Sequence, residues 1–78
     1  MVDETDKYGR SAIFYSAYYG NLETIELLAA ADASLNLMDS RHRTPLHYAA
    51  LTDNPKVIES VFVSFRAQAR EMQVNVIK

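Results

Sequence analysis

The chain has 78 residues, of which 49% are apolar and 23% charged, so it has the composition of an ordinary folded domain with room for one small core. The absence of cysteine excludes disulfides, thiolate catalysis and cysteine-based zinc sites. The formal charge of -2 argues against a nucleic-acid module, which needs a basic stripe to displace counterions. The apolar stretches are short and the start is acidic, so we expect no membrane insertion, no signal peptide and an intracellular location, cytoplasmic or nuclear.

Two helices are predicted in the first half of the chain. The first begins at Ser11, whose hydroxyl is suited to capping a helix. The second covers residues 22–31, where apolar residues recur every three positions while Glu23 and Glu26 face away, as an amphipathic helix requires. The two glutamates also suit the positive end of the helix dipole.

Two more helices are predicted in the second half. Thr44 is a good N-cap, and Pro45 takes the first helical position, where a missing N–H costs nothing. Asn54 and Pro55 give the last helix the same kind of start, and we expect this helix to run to about Arg70. Its apolar stripe consists of Val57, Ile58, Val61, Phe62 and Phe65.

The two halves of the chain repeat each other at an interval of 33 residues, with seven identities in 26 aligned pairs. The identical pairs are Asp6 with Asp39, Arg10 with Arg43, Tyr15 with Tyr48, Ala17 with Ala50, Asn21 with Asn54, Ile25 with Ile58, and Glu26 with Glu59. A repeat of this length cannot bury its own apolar face and must stack on its neighbours.

Residues 44–50 read Thr-Pro-Leu-His-Tyr-Ala-Ala and resemble the T-P-L-H-x-A-A signature of ankyrin repeats without a mismatch. The resemblance extends in register over residues 6 to about 61. It implies an all-α fold of helix-turn-helix repeats stacked as a short solenoid, with a hairpin or loop between repeats and a lengthened last helix. It also implies a structural role for His47, which would hydrogen-bond back to the Thr44 hydroxyl and to neighbouring backbone. The motif residues are Thr44, Pro45, Leu46, His47, Ala49 and Ala50.

On this alignment, residues 1–78 are a single ankyrin-repeat unit, with repeat 1 over about residues 6–38 and repeat 2 over about residues 39–72. The register is lost after Val61, because Asn75 lies 39 residues beyond Asn36. The extra residues lengthen the last helix or the loop after it. Residues 73–78 are therefore expected either to start a third hairpin or to form a modified C-terminal cap.

Three residues stand where the family pattern or the first repeat has glycine. Asp32 occupies the position at which the family ends its second helix in a left-handed conformation, which Asp tolerates at a cost of about 1 kcal/mol. Asp53 replaces the counterpart of Gly20, and His42 replaces the counterpart of Gly9.

The sequence gives no support for catalysis, a metal site or a cofactor. His42 and His47 are the only histidines, and their spacing of five residues is not one that metal ligands use. Glu23 and Glu26 are typical of a solvated helix face more than of an acid–base pair. The two glycines are isolated and form no phosphate-binding loop.

Tyrosines and arginines supply the candidate binding surface, since both are frequent in interfaces. In the family, Tyr15 and Tyr48 correspond to semi-buried core positions, whereas Tyr18 and Tyr19 correspond to positions that face the concave groove. Ordinary solvated surface is the alternative for every candidate. The candidate partner-binding residues are Lys7, Tyr8, Arg10, Tyr18, Tyr19, Ser40, Arg41, Arg43, Leu51 and Thr52.

The resemblance therefore implies a protein–protein interaction module that binds a partner protein through its concave face and hairpin tips. Two alternatives stay open. In the first, the repeats only stack on further repeats or on an adjoining catalytic domain, or self-associate as a homodimer or domain swap through open repeat ends, where Val63, Phe65 or Met72 would be exposed. In the second, the chain is a regulatory segment that binds a small ligand or a modified peptide.

Overall fold

The computed structural model describes the backbone of residues 2–77 and the side chains of residues 2–70. Its four helices are α1 (Ala12–Tyr19), α2 (Leu22–Ala30), α3 (Pro45–Leu51) and α4 (Pro55–Ile77), and residues 2–77 contain no strand. Within each predicted repeat, α1 packs on α2 and α3 packs on α4. Between the repeats, α1 packs on α3 and α2 on α4, so the predicted all-α stack of helix pairs is confirmed.

The last three helices begin where the sequence predicts because side chains next to each start cap them. The cap predicted at Ser11 is wrong: α1 begins after this residue, but the Ser11 hydroxyl makes no cap hydrogen bond and is buried without a partner among the described residues. The Asn21 side chain accepts a hydrogen bond from the Thr24 N–H at 3.2 Å, and the Asn54 side chain accepts one from the Lys56 N–H at 3.0 Å. At the start of α3, His47 Nδ1 accepts a hydrogen bond from the Thr44 N–H at 3.1 Å and lies 2.8 Å from the Thr44 hydroxyl oxygen. This is the contact that the resemblance implies for His47.

The core lies between the two helix pairs and under the loop that joins them. Phe14 of α1 and Tyr48 of α3 meet edge to face, with ring centroids 5.5 Å apart. Rings of this size contribute much of the apolar area that so short a chain can bury. The buried apolar residues are Ile13, Phe14, Ala17, Ile25, Ala33, Leu35, Tyr48, Ala49, Val57 and Val61.

The prediction that Tyr15 and Tyr48 both belong to the core is confirmed for Tyr48 and wrong for Tyr15. Tyr48 is 4% exposed, whereas Tyr15 is 36% exposed. The rings of Phe14 and Tyr18 cover Tyr48 from the first repeat. No aromatic ring of residues 2–70 is stacked over Tyr15 in the same way, which leaves it at the surface.

The three positions without the expected glycine are all left-handed. Asp32, His42 and Asp53 have φ values of 65°, 61° and 55°, close to the 75° and 68° of Gly9 and Gly20. The strained turn predicted at Asp32 is therefore present, and the two departures from the first repeat carry the same backbone conformation.

The last helix differs from the prediction at its end. α4 continues to Ile77 and not to about Arg70, so the third hairpin expected at residues 73–78 does not form in residues 73–77. The reason is that no glycine or proline follows Pro55 to end the helix. The role of these residues as a C-terminal cap stays a prediction.

A long-range contact holds α4 against the loop between the repeats. The Gln68 carboxamide donates a hydrogen bond to the Ala33 carbonyl and accepts one from the Leu35 N–H at 2.9 Å. A side-chain amide thus takes the place of a neighbouring peptide group and satisfies two backbone groups beside the core. On the same helix Phe62 and Val63 are exposed and Phe65 is half-buried, while the Met72 side chain lies outside the described residues.

Candidate functional site

Residues 6–10 and 39–43 form two tight turns, called the first and second finger. The first finger is closed by a hydrogen bond from the Asp6 N–H to the Arg10 carbonyl at 3.0 Å. The second is closed by the same bond from Asp39 to Arg43 at 2.9 Å. A third backbone bond joins the second finger to the carbonyl of Tyr8 at 2.9 Å, so the two fingers are held in a fixed relation.

The second finger is organised by the carboxylate of Asp39, which is almost fully buried. Its Oδ1 accepts hydrogen bonds from the backbone N–H groups of Arg41 and Arg43, both at 2.9 Å. Its Oδ2 accepts from the Tyr48 hydroxyl and from Arg43 Nε, the latter at 3.2 Å. Four donors therefore satisfy a charge that would be costly to bury alone.

In the first finger Asp6 makes a similar network of contacts, but its carboxylate is more exposed than that of Asp39. Asp6 Oδ1 accepts from the N–H groups of Tyr8 and Arg10 at 2.9 and 3.0 Å, and Oδ2 accepts from the Tyr15 hydroxyl. Arg10 Nε lies 3.5 Å from the same oxygen as an ion pair. Three of the seven identical residue pairs in the repeat, Asp, Arg and Tyr, are thus explained by one hydrogen-bonded network.

The hydrogen bonds of the second finger fix the protonation states of Asp39 and Tyr48. Burial of Asp39 acts to raise the pKa of its carboxyl, but the bonds from Tyr48, Arg43 and Arg41 outweigh it and hold that pKa well below the ordinary value. Burial, together with the bond to Asp39, raises the pKa of Tyr48. At neutral pH the carboxylate is therefore charged and the phenol keeps its proton.

A depression of about 280 Å³ lies on the side of the molecule formed by α1, α3 and the fingers. It is called the groove, and its lining residues are Arg10, Tyr15, Tyr18, Tyr19, Arg43, Tyr48 and Leu51. Tyr18 forms edge-to-face contacts with Tyr19 and Tyr48, with centroids 5.1 and 6.2 Å apart. Five of the ten candidate residues are brought together here.

The profile of a family described as ankyrin repeats, in three copies, matches residues 1–70. The chain belongs to the ankyrin repeat family. Ankyrin repeats generally act as protein-interaction modules and not as catalysts. The family suggested by the motif at residues 44–50 is therefore confirmed.

Relatives of these ankyrin repeats are much longer proteins. Inversin of Homo sapiens is 34% identical over 74 residues, which are 95% of this chain and 7% of inversin. Palmitoyltransferase AKR1 of Candida glabrata is 33% identical over 58 residues, 74% of this chain and 8% of that protein. Neurogenic locus notch homolog protein 1 of Cricetulus griseus is 33% identical over 57 residues, 73% of this chain and 2% of its own length. The chain spans less than a tenth of the curated relatives it matches.

The remaining candidates lie on the fingers of the ankyrin repeats, with one exception. Lys7 Nζ lies 5.2 Å from the centroid of the Tyr8 ring, and the Arg10 guanidinium lies 4.5 Å from it. Ser40 and Arg41 are exposed on the second finger. Thr52 does not line the groove; it follows α3 as its C-cap, and its hydroxyl donates to the Ala49 carbonyl at 2.6 Å.

Sequence reasoning missed Asp6 and Asp39 as organisers of the ankyrin fingers, although both were found as an identical pair. The signal was the joint recurrence of Asp, Arg and Tyr at the same spacing in both repeats. Among the described residues, no group of three or more acidic or histidine side chains is placed to hold a metal ion. Within the same residues, no helix has both the length and the apolar character needed to cross a membrane.

Proposed function

We propose that this ankyrin repeat chain binds a partner protein through the groove and the two fingers. The observation that carries the proposal is the exposure of large side chains in one concave place. Tyr18, Tyr19 and Leu51 are 51%, 75% and 66% exposed, and all three line the groove. Tyrosine and arginine are among the side chains that are enriched at the energetic centre of protein interfaces.

The rigidity of the surroundings supports the same proposal. The arginines of the groove are held by carboxylates, and each finger is closed by backbone hydrogen bonds. A surface that is already ordered loses little conformational entropy when a partner binds. The groove and fingers are therefore suited to recognition without a change of shape.

Two exposed leucines allow a matched test. Leu51 lies in the groove on α3, whereas Leu27, 64% exposed, lies on α2 and outside the groove. A display library of random dodecapeptides would be selected on the 78-residue chain, and the selected peptides would be titrated against Leu51→Asp and Leu27→Asp. We expect Leu51→Asp to weaken binding by about tenfold or more and Leu27→Asp to leave it unchanged, because a buried apolar contact is worth about 1.5–3 kcal/mol.

Circular dichroism melts of both variants would establish that the fold is intact. If the two variants weaken binding equally, or if Leu51→Asp has no effect, the groove is not the binding surface and the proposal is wrong.

A second candidate function is stacking through the open end of the second repeat. Ala17 and Ile25 are fully buried in the first repeat, but their counterparts, Ala50 and Ile58, are exposed and half-exposed. Phe62, which stands at the counterpart of Ala29, is 45% exposed. We define the end face as Ala50, Ile58 and Phe62, and infer that it is able to take a further helix pair or a second copy of the chain.

A further inference from the structure

The two fingers carry a net positive charge next to the groove. Each finger holds two cations and one aspartate: Lys7 and Arg10 with Asp6 in the first, Arg41 and Arg43 with Asp39 in the second. Four cations less two carboxylates give a formal charge of +2, before any contribution from His42. The helix α2, none of whose residues lines the groove, carries two glutamates and no basic residue, whereas α4 carries both basic and acidic side chains. Two of the four finger cations, Arg10 and Arg43, line the groove itself.

The negative charge of the fingers is already engaged inside the chain. The Asp39 side chain is 2% exposed and accepts bonds from four donors. Asp6 makes the equivalent contacts. A partner that approaches the second finger therefore meets its cations and not the buried Asp39 carboxylate. At the first finger the more exposed Asp6 carboxylate is already engaged by three hydrogen bonds and an ion pair.

The two groove arginines retain donors for a partner. Each directs its Nε toward an aspartate, and both guanidiniums line the groove, where the side chain of Arg43 is 38% exposed and that of Arg10 is 24% exposed. A guanidinium carries five N–H donors in a planar fork that matches a carboxylate.

The apolar part of the groove lies beside these donors. Tyr18, Tyr19 and Leu51 offer exposed apolar surface, and the volume of about 280 Å³ lies at the lower limit of ligand pockets. A depression of that size has room for side chains of a peptide segment and is small for a drug-sized molecule. Resting on the proposed function, we infer that the partner presents an extended acidic segment, in which carboxylates reach Arg10 and Arg43 and flank a bulky apolar residue seated against the tyrosines.

The peptides selected from the random library provide the first test, because the library is not biased in charge. We expect the selected sequences to be rich in Asp and Glu on both sides of a Leu, Phe or Tyr. Their affinity should fall as NaCl is raised from about 0.05 to about 0.5 M, since exposed charge pairs are screened over this range.

The second test is a charge reversal with a matched control. The double variant Lys7→Glu with Arg41→Glu reverses one charge in each finger. It keeps the side-chain bonds of Arg10 and Arg43 to the two aspartates. We expect it to weaken binding of the selected peptides by about tenfold or more. Lys56→Glu with Arg70→Glu makes the same change in net charge on α4, where both side chains are exposed, and should alter affinity by less than about twofold.

The outcomes separate this inference from the proposed function. If the selected peptides are neutral or basic but their binding still depends on Leu51, the groove binds a partner, and the inference of an acidic segment is wrong. If the two charge-reversed variants weaken binding equally, net charge and not the fingers is responsible, and the inference is again wrong. If binding does not depend on Leu51, or if no peptide is selected, the proposed function itself fails.

Discussion

At the scale of single residues, Asp6 and Asp39 make the same bonds in unequal surroundings. The Asp6 side chain is 32% exposed and the Asp39 side chain 2% exposed. Water is therefore able to replace a lost donor at Asp6, whereas a donor lost at Asp39 leaves a buried carboxylate less satisfied. The two repeats thus offer an internal comparison of one hydrogen bond at two depths.

Removal of the tyrosine hydroxyls should show this difference. We expect Tyr48→Phe to lower the free energy of unfolding by about 1.5–3 kcal/mol, and Tyr15→Phe to lower it by clearly less, because water is able to replace the lost hydroxyl at the exposed Asp6. Denaturant titration followed by circular dichroism measures both, and each variant serves as the control for the other. Equal losses would contradict the claim that burial sets the value of this bond.

The same network predicts how stability depends on pH. The folded pKa of Asp39 lies below its unfolded value, so its contribution is complete above about pH 4–5 and is lost as pH falls toward the folded value. The pKa of Tyr48 is raised, so its contribution is present below about pH 10 and is lost at higher pH. Denaturation midpoints between about pH 2 and 7 should fall less steeply for Asp39→Asn than for the wild type. An unchanged slope in the variant would show that Asp39 is not the group responsible.

At the scale of elements, the left-handed residues at helix and finger ends are a source of strain that substitution should relieve. Asp53 and Gly20 stand at equivalent positions of the two repeats, with φ values of 55° and 68°. We expect Asp53→Gly to raise the free energy of unfolding by about 0.5–1 kcal/mol, and Gly20→Ala to lower it by about 1 kcal/mol. Thermal and denaturant unfolding would measure both. A loss of stability in Asp53→Gly would show that its side chain contributes more than its backbone costs.

The elements also show why the sequence predicts some parts of the fold and not others. The starts of α3 and α4 were predictable because Thr44-Pro45 and Asn54-Pro55 act on their own neighbours in the chain. The end of α4 was not, since no residue after Pro55 breaks the helix and the Gln68 bonds join residues 33 and 35 positions apart. In the groove, Tyr18 and Tyr19 were predictable from their correspondence to family positions that face the concave side. The network around Asp39 needed side-chain geometry, because Tyr48 lies nine residues away across the start of a helix.

At the scale of the whole molecule, two repeats leave the end face uncovered, and we expect the isolated chain to associate through it. Phe62 lies on this face beside Pro55 and Ile58, whereas Val63, 57% exposed, lines a different depression between α2 and α4. Sedimentation across a concentration series should show a dimer for the wild type, a monomer for Phe62→Gln, and a dimer for Val63→Gln. A wild-type chain that stays monomeric at all concentrations, or equal effects of the two variants, would contradict this expectation.

Because the Leu35 N–H is bonded to the Gln68 side chain, this backbone amide reports on the undocking of α4 from the loop between the repeats. The Leu35 N–H donates to a side chain of α4 and not to its own loop, whereas the Ile25 N–H donates to Asn21 within its own helix start. In deuterated water the Leu35 amide should exchange whenever α4 leaves the loop, even while both helix pairs stay folded. The Ile25 amide, in the core, should exchange only on larger opening. The difference between the two exchange rates therefore measures how firmly α4 is docked, separately from the stability of the repeats.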